Sequence, residues 1–159
     1  MSPRRSSETS WQDPLAERPE LLYDDLVPGR RFPEFCYELT PDLVEAFVAA
    51  TGDDNPVYTD GGAARELGLD RPTAPPGLAG IWGRQAYLQD HRMPPGGILA
   101  GQDMLFSRPV AVGDTLRIQA EVTRRWERKG RRFVTIESTA RNAAGRQCAT
   151  VRVTAIWPK

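Results

Sequence analysis

The last third of the chain alternates hydrophobic and polar residues with a period of two. Turn-forming residues separate the three segments that show it: 114–126, 133–141 and 147–157. A period of two places alternate side chains on opposite faces of a β-strand. The pattern therefore predicts antiparallel strands with one face in the core and one face in water. Lys129 and Gly130 predict the first hairpin turn, and residues 142–145 predict the second.

Upstream, the apolar residues follow helical as well as strand spacing. Thr40 is a good N-cap and Pro41 suits a first helical position, so a helix is expected to begin there. Gly52 is placed to end that helix. A short helix is predicted over 63–67 and a longer one over 77–90. Strands are predicted at two further places: 30–40 and 98–106.

The predicted order is strand, helix, loop, longer helix and then a four-stranded meander. A long helix that precedes such a meander can fill the concave side of the curved sheet. This is the hotdog fold, an α+β architecture in which about five antiparallel strands wrap around a central helix. The length favours a single domain, over residues 21–159. Residues 1–20 are rich in Ser, Pro, Arg and Glu, and they predict a flexible N-terminal arm.

The composition excludes several classes of function. The 159 residues include 21 basic and 21 acidic side chains, and this balance argues against a protein that coats nucleic acid. No apolar run approaches the ~18 residues of a membrane helix, so no membrane partner is expected. Two cysteines and one histidine are too few for a disulfide scaffold or an ordinary zinc site, so no metal is expected. The N-terminus lacks the apolar segment of a secretory signal, which predicts a cytoplasmic protein.

The most informative motif lies in the segment 46–64, which reads AFVAATGDDNPVYTDGGAA. It resembles the hydratase loop of the MaoC-like family, the (R)-specific enoyl-thioester hydratases and dehydratases. The pattern of that loop is G-D-x-N-P, a hydrophobic residue and His. Residues 52–57 fill the first six places. Tyr58 stands at the seventh place, where the hydratases carry their catalytic histidine.

A second match lies over residues 73–122. The A-P-P sequence before the predicted central helix and the R-P-V-x-x-G-D-T-L sequence at 108–116 are similar to one branch of the family, the MaoC dehydratase N-terminal half. The two motifs together extend the resemblance over residues 25–157. In this branch a tyrosine at the histidine position is common. The resemblance implies an acyl-binding partner of a catalytic half or subunit.

The resemblance also implies roles for individual residues. In the family, an Asp and the His activate water, and a backbone N–H at the start of the central helix binds the thioester oxygen. The matching groups here are Asp53 and the Gly77 N–H, with Asn55 and Pro76 as expected substrate contacts. Tyr58, with an unperturbed pKa of about 10, is a neutral donor at pH 7 and does not replace imidazole as a base. A structural role for Asp53, bonding local amides, stays open beside a catalytic one.

Basic residues concentrate near the C-terminus. Residues 105–159 carry ten Arg and two Lys against four acidic residues, a net charge of +8. Half of these basic residues surround the predicted Lys129-Gly130 turn. Arg124, Arg125 and Arg108 are predicted to contact the phosphates of CoA or the acidic face of an acyl carrier protein. A hairpin tip that is only solvated is the alternative.

The resemblance therefore implies a hydratase- or dehydratase-type protein for enoyl-CoA or enoyl-ACP in fatty acid or polyketide metabolism, either an acyl-binding subunit or an atypical enzyme that lacks the usual catalytic histidine. It is expected to form a homodimer, or a heterodimer with a His-bearing MaoC-like subunit. CoA or phosphopantetheine belongs to the substrate, and no separate cofactor is expected. Two alternatives stay open. One is a different thioester reaction, conjugate addition or hydrolysis, that uses Asp53 and Tyr58; the other is a non-enzymatic module that binds a carrier protein.

Overall fold

The computed structural model describes residues 17–159, so most of the predicted arm lies outside the described residues. In that range the helices are α1 (Pro41–Thr51), α2 (Gly61–Glu66) and α3 (Leu78–Leu88). The strands are β1 (Phe35–Glu38), β2 (Ile98–Phe106), β3 (Thr115–Arg128), β4 (Arg131–Arg141) and β5 (Gln147–Trp157). Short 3₁₀ turns cover Tyr23–Asp25 and Pro56–Tyr58. None of these helices has the length and apolar character needed to cross a bilayer.

The five strands of the described chain form one antiparallel sheet in the order β1-β3-β4-β5-β2. The predicted hairpins join β3 to β4 and β4 to β5, but the predicted four-stranded meander is wrong at β2, because this strand pairs with β5 and not with β3. β2 pairs with β5 at one edge, where Gln102 lies opposite Val153 and Met104 lies opposite Val151. Because Val151 and Val153 are buried on the concave face, this register places Gln102 and Met104 on the same inner face.

Helix α3 lies in the concave side of the sheet. Leu78, Trp82 and Ala86 follow an i, i+4, i+8 spacing and are buried. Gly83 lets the helix approach β5 closely, since a Cβ at this position would lie 2.9 Å from the Val151 Cβ. The Ser138 hydroxyl of β4 donates to the Gly83 carbonyl at 2.9 Å. The predicted hotdog arrangement, with a central helix wrapped by five strands, is confirmed.

The ends of α1 follow the sequence signals. The Thr40 Oγ1 accepts the Leu43 N–H at 3.2 Å, and Gly52 adopts a φ of 70° after the last helical turn. The first strand is shorter than the predicted 30–40. Arg31 forms only an isolated bridge with Glu121, and Pro33, which has no N–H, lies between that bridge and β1.

Strand β2 is exposed along its whole length. Its large apolar side chains are between 36 and 69% exposed: Ile98, Leu99, Met104, Leu105 and Phe106. One edge of the strand pairs with β5 and the other has no partner strand among residues 17–159. An open edge with apolar side chains is typical of a surface that another chain covers.

Candidate functional site

The loop between α1 and α2 is shaped by its own side chains. Asn55 Oδ1 accepts the Val57 N–H at 3.1 Å, and Pro56 begins the 3₁₀ turn. Asp60 Oδ1 accepts the Gly62 N–H at 2.6 Å and caps α2. The backbone therefore uses Asn55 and Asp60, as is usual for Asn and Asp in turns and at helix starts.

Asp53 and Tyr58 lie beside each other in this loop. Burial raises the pKa of the Tyr58 hydroxyl above its ordinary value of 10.0, and the negative charge of Asp53 raises it further. The hydroxyl therefore stays protonated at neutral pH and acts as a donor. Asp53 is exposed, and no backbone N–H of residues 17–159 donates to its carboxylate. The local bonding that the structural interpretation requires is not made in this range.

Hydrogen bonds attach the loop to the segment that leads into α3. Val57 is buried, and its carbonyl accepts the Thr73 N–H at 3.1 Å. The Val110 carbonyl accepts the Ala74 N–H at 2.7 Å and the Thr73 hydroxyl at 3.0 Å. These bonds fix the position of Tyr58, the residue after Val57, relative to the start of the central helix.

Gly77 presents a free amide at the start of α3. The next two amides, of Leu78 and Ala79, bond to carbonyls of the preceding turn, but the Gly77 N–H donates to no acceptor in residues 17–159. A Cβ at Gly77 would lie 2.8 Å from the tip of the Phe47 ring, so a larger residue here would require that ring to move. A free amide at a helix N-terminus favours a negatively charged or carbonyl oxygen.

Three cavities surround these residues. The α3–β2 cavity, of about 410 Å³, contains Gly77 between the helix and the inner face of β2. The helix-start cavity, of about 360 Å³, contains Pro76 and Arg108. The Tyr58 cavity, of about 260 Å³, lies between the loop and α1. The structure thus places Pro76 near Arg108 and Asp53 near Tyr58. Gly77 lines a separate cavity, and Asp53 lines none of the three.

Arg124 and Arg125 lie on the β3–β4 hairpin, where protein groups already contact them. Arg125 Nη1 donates to the carbonyls of Tyr23 and Asp24, each at 3.2 Å. The Arg124 guanidinium stacks over the Trp126 ring at 4.4 Å. Neither arginine lines the three cavities. Their role as phosphate contacts stays a prediction.

Two polar residues of the α3–β2 cavity do not follow from the sequence motifs. Gln102 lies on the inner face of β2, and Arg84 lies on α3. A signal for Arg84 is present in the sequence, because Gly77, Gly80 and Arg84 follow the i, i+3, i+7 spacing of one helix face. Gln102 shares the strand face of Met104 by the period of two. Neither signal is visible until the helix and the strand are known to face each other.

Comparison with known proteins gives a family and a set of structural relatives. The model of the FAS1-like, dehydratase domain region matches residues 27–151. A UPF0336 protein from Streptomyces avermitilis is 29% identical over 137 residues, covering 82% of this chain and 91% of that protein. The unliganded R-hydratase PhaJ1 from Pseudomonas aeruginosa is 27% identical, with a TM-score of 0.71 over 86% of this chain and 85% of that chain. The C-terminally truncated HadBC complex from Mycobacterium tuberculosis, a 3R-hydroxyacyl-ACP dehydratase, is 22% identical, with a TM-score of 0.74 over 82% of this chain and 96% of that chain.

The matched region contains most of the site; of the α3–β2 cavity lining, only Val153 and Ala155 lie beyond it. It includes the loop with Asp53 and Tyr58, the start of α3 at Gly77, and the strands as far as the middle of β5. The resemblance drawn from the hydratase loop and from the R-P-V strand entry is therefore confirmed at the level of the family. This chain belongs to the FAS1-like dehydratase region family, with the hotdog fold of the MaoC-like (R)-hydratases.

Proposed function

We propose that this chain is the acyl-thioester-binding subunit of an (R)-specific hydratase or dehydratase, and that the water-activating histidine belongs to a second MaoC-like subunit. The observation that carries the proposal is Tyr58, which stands at the histidine position of an otherwise complete loop. Its pKa is raised by burial and by Asp53, so it donates a hydrogen bond but does not serve as a general base at neutral pH.

Features suited to binding a thioester support the proposal, although the histidine is missing. The free Gly77 N–H is suited to the thioester carbonyl, as a donor at a helix start. Ile81, Leu99 and Met104 give the α3–β2 cavity an apolar lining for the acyl chain. CoA or an acyl carrier protein presents the chain, so phosphopantetheine arrives with the substrate.

Strand β2 supplies the surface for the second subunit. Its unpaired edge and exposed apolar side chains favour pairing with a strand of another MaoC-like chain. The partner is a His-bearing MaoC-like chain in the heterodimer that we favour, or a second copy of this chain in a homodimer. The HadBC complex, which shares this fold, supports the first arrangement.

The loss of enoyl-thioester absorbance with crotonyl-CoA and a longer enoyl-CoA tests the proposal. The wild-type chain alone is expected to show no Asp53-dependent hydration. Tyr58→His restores an imidazole beside Asp53, so this variant is expected to gain hydration, and adding Asp53→Asn to it is expected to remove the gain. Addition of a His-bearing MaoC-like partner is expected to give activity with the wild-type chain. Hydration by the wild-type chain alone that disappears in Asp53→Asn would contradict the proposal.

The contact between Asp53 and Tyr58 favours one second candidate. In it, the chain is a self-sufficient enzyme for conjugate addition or thioester hydrolysis, with Asp53 as the base and Tyr58 as the donor. Turnover by the chain alone would then fall when Tyr58→Phe removes the hydroxyl. An unchanged rate in Tyr58→Phe would exclude this candidate.

A further inference from the structure

The α3–β2 cavity continues into a larger groove along the central helix. We call this second space, of about 860 Å³, the arginine groove, because Arg18, Arg84 and Arg92 line it. The two spaces share Gly80, Ile81, Arg84 and Met93 in their linings. Together they follow the exposed face of α3 from Gly77 to the C-terminal end of the helix.

The two ends of this path differ in chemistry. Near Gly77 the lining is mostly apolar, with Leu99, Met104 and Val153 from the sheet. The far end is cationic, and among residues 17–159 neither lining contains an Asp or Glu side chain. The basic residues of the arginine groove are Arg18, Arg84, His91 and Arg92.

Among residues 17–159, Arg84 is the arginine of the groove that forms neither an ion pair nor a hydrogen bond to a backbone carbonyl. Arg92 Nη2 pairs with a Glu20 carboxylate oxygen at 2.7 Å, and Arg18 Nη1 donates to the Leu88 carbonyl at 3.0 Å. The ion pairs of residues 17–159 do not include Arg84. Arg84 lines both spaces and lies beside the Tyr87 hydroxyl. Burial raises the pKa of that hydroxyl, and the positive charge of Arg84 opposes the rise. A cation is therefore present at the junction of an apolar cavity and an open groove.

We propose that this path binds an acyl chain whose far end carries a carboxylate, and that Arg84 pairs with that carboxylate. The inference rests on the proposed function and specifies its substrate class. The thioester carbonyl lies at the Gly77 N–H, the methylene groups contact Ile81 and Met104, and the terminal carboxylate reaches the guanidinium. Gly77 and Arg84 are seven residues apart on one helix face, a distance of about 10 Å that a medium-length chain spans.

The physical basis is the cost of leaving Arg84 without an anion once a ligand covers it. A guanidinium and a carboxylate form two parallel charge-assisted hydrogen bonds. A chain that ends in a methyl group would exclude water from the guanidinium and offer no partner. Within the described part of the chain, no carboxylate lines this path and competes for Arg84, so discrimination between the two chain ends follows from this one side chain.

CoA also carries phosphates, so the test must separate the two anions. Octanoyl-CoA and suberoyl-CoA have the same number of carbons and the same CoA moiety, and they differ in the terminal carboxylate. Both are saturated and cannot be hydrated, so their Kd values report binding alone. Calorimetric titrations compare wild type, Arg84→Met and Arg84→Lys. Arg65→Met, which changes an exposed arginine on α2 outside the groove, is the matched control.

Wild type and Arg65→Met are expected to bind suberoyl-CoA at least tenfold more tightly than octanoyl-CoA, a difference of about 1.4 kcal/mol. The reason is the charge-assisted hydrogen bond that only the carboxylate accepts. Arg84→Met is expected to lose this preference, and Arg84→Lys to keep part of it. Equal affinities in wild type would overturn the inference. So would equal weakening of both ligands in Arg84→Met, because Arg84 would then contact the shared CoA phosphates. If wild type binds neither ligand, the proposed acyl-thioester function itself fails, and the inference with it.

Discussion

Two glycines on α3, Gly83 and Gly80, show that the side chains packed against a position determine whether a larger residue is tolerated there. A Cβ at Gly83 would lie 2.9 Å from the Cβ and Cγ1 of Val151, a buried residue of β5. A Cβ at Gly80 would lie 3.2 Å from the terminal atoms of Gln102 and Met104, which belong to flexible side chains on the exposed strand. The first neighbour is fixed in the core, whereas the second can rotate away.

These contacts predict different stabilities for two matched alanine variants. Alanine gains up to ~1 kcal/mol over glycine inside a helix. At Gly83 the overpacking costs about 1–3 kcal/mol, so Gly83→Ala is expected to lower the free energy of unfolding. Gly80→Ala is expected to leave it unchanged or raise it slightly. Urea denaturation of both variants measures the difference, and a Gly83→Ala protein as stable as Gly80→Ala would show that the helix can shift from the sheet.

Residues with local roles are the ones that the sequence predicts well. Thr40 and Gly52 bound α1 as predicted, because a cap needs only its own helix. The contact of Arg125 with the Tyr23 carbonyl spans 102 residues, and no local pattern encodes it. The position of Arg84 opposite the inner face of β2 likewise depends on the closed sheet. The motifs therefore identify the loop and the helix start, whereas the cavity walls require the tertiary structure.

At the level of elements, the hairpins explain the order β3-β4-β5, whereas the place of β2 beside β5 does not follow from the predicted meander. That place at the edge of the sheet explains the exposure of β2. The alternation predicts β3, β4 and β5 well because each has one buried face. β2 has no clean alternation, and both of its faces are exposed in the described chain. β1 begins after Pro33, which interrupts pairing with β3. The sequences of the two edge strands, β1 and β2, are thus determined in part by contacts outside the core of this chain.

Charge on β2 is expected to weaken assembly. Leu105 on β2 and Leu67 after α2 are each 69% exposed, so they form a matched pair. Leu105→Arg places an unpaired charge on the apolar edge, and the dissociation constant of the assembly is expected to rise at least tenfold, about 1.4 kcal/mol. Leu67→Arg is expected to have no effect. Sedimentation velocity, with the chain alone and with a His-bearing partner, measures both; an assembly weakened only by Leu67→Arg would place the interface elsewhere.

At the scale of the molecule, the tyrosines couple ionisation to the stability of the fold. The chain has four, and burial is the main cause of a raised pKa for each of them: Tyr23, Tyr37, Tyr58 and Tyr87. Two of these positions, Tyr23 and Tyr87, belong to the core, and Tyr58 belongs to the site. Burial of a hydroxyl favours its neutral form, so the folded chain holds these protons more tightly than the unfolded chain.

The stability of the fold is therefore expected to fall at alkaline pH. Below about pH 10, the ordinary pKa of tyrosine, the hydroxyls are protonated in both states and contribute no pH dependence. As the pH rises towards the native pKa values, the unfolded chain releases its protons first, and the free energy of unfolding falls. Ultraviolet titration of the phenolate groups checks that the tyrosine pKa values are higher in the native chain than in the unfolded chain, with the chain in denaturant as the control. Coincident native and denatured titrations would contradict it.

Strand β2 takes part in two surfaces, since its inner face lines the α3–β2 cavity and its outer edge has no partner strand among residues 17–159. A ligand that orders Leu99 and Met104 would change the strand to which a second subunit binds. Binding of that subunit would in turn change the side of the cavity that contacts the ligand. By thermodynamic linkage, each binding event changes the affinity of the other by the same factor. If the proposed acyl chain and the second subunit favour the same arrangement of β2, the apparent affinity for the acyl chain depends on protein concentration, and the acyl chain promotes assembly.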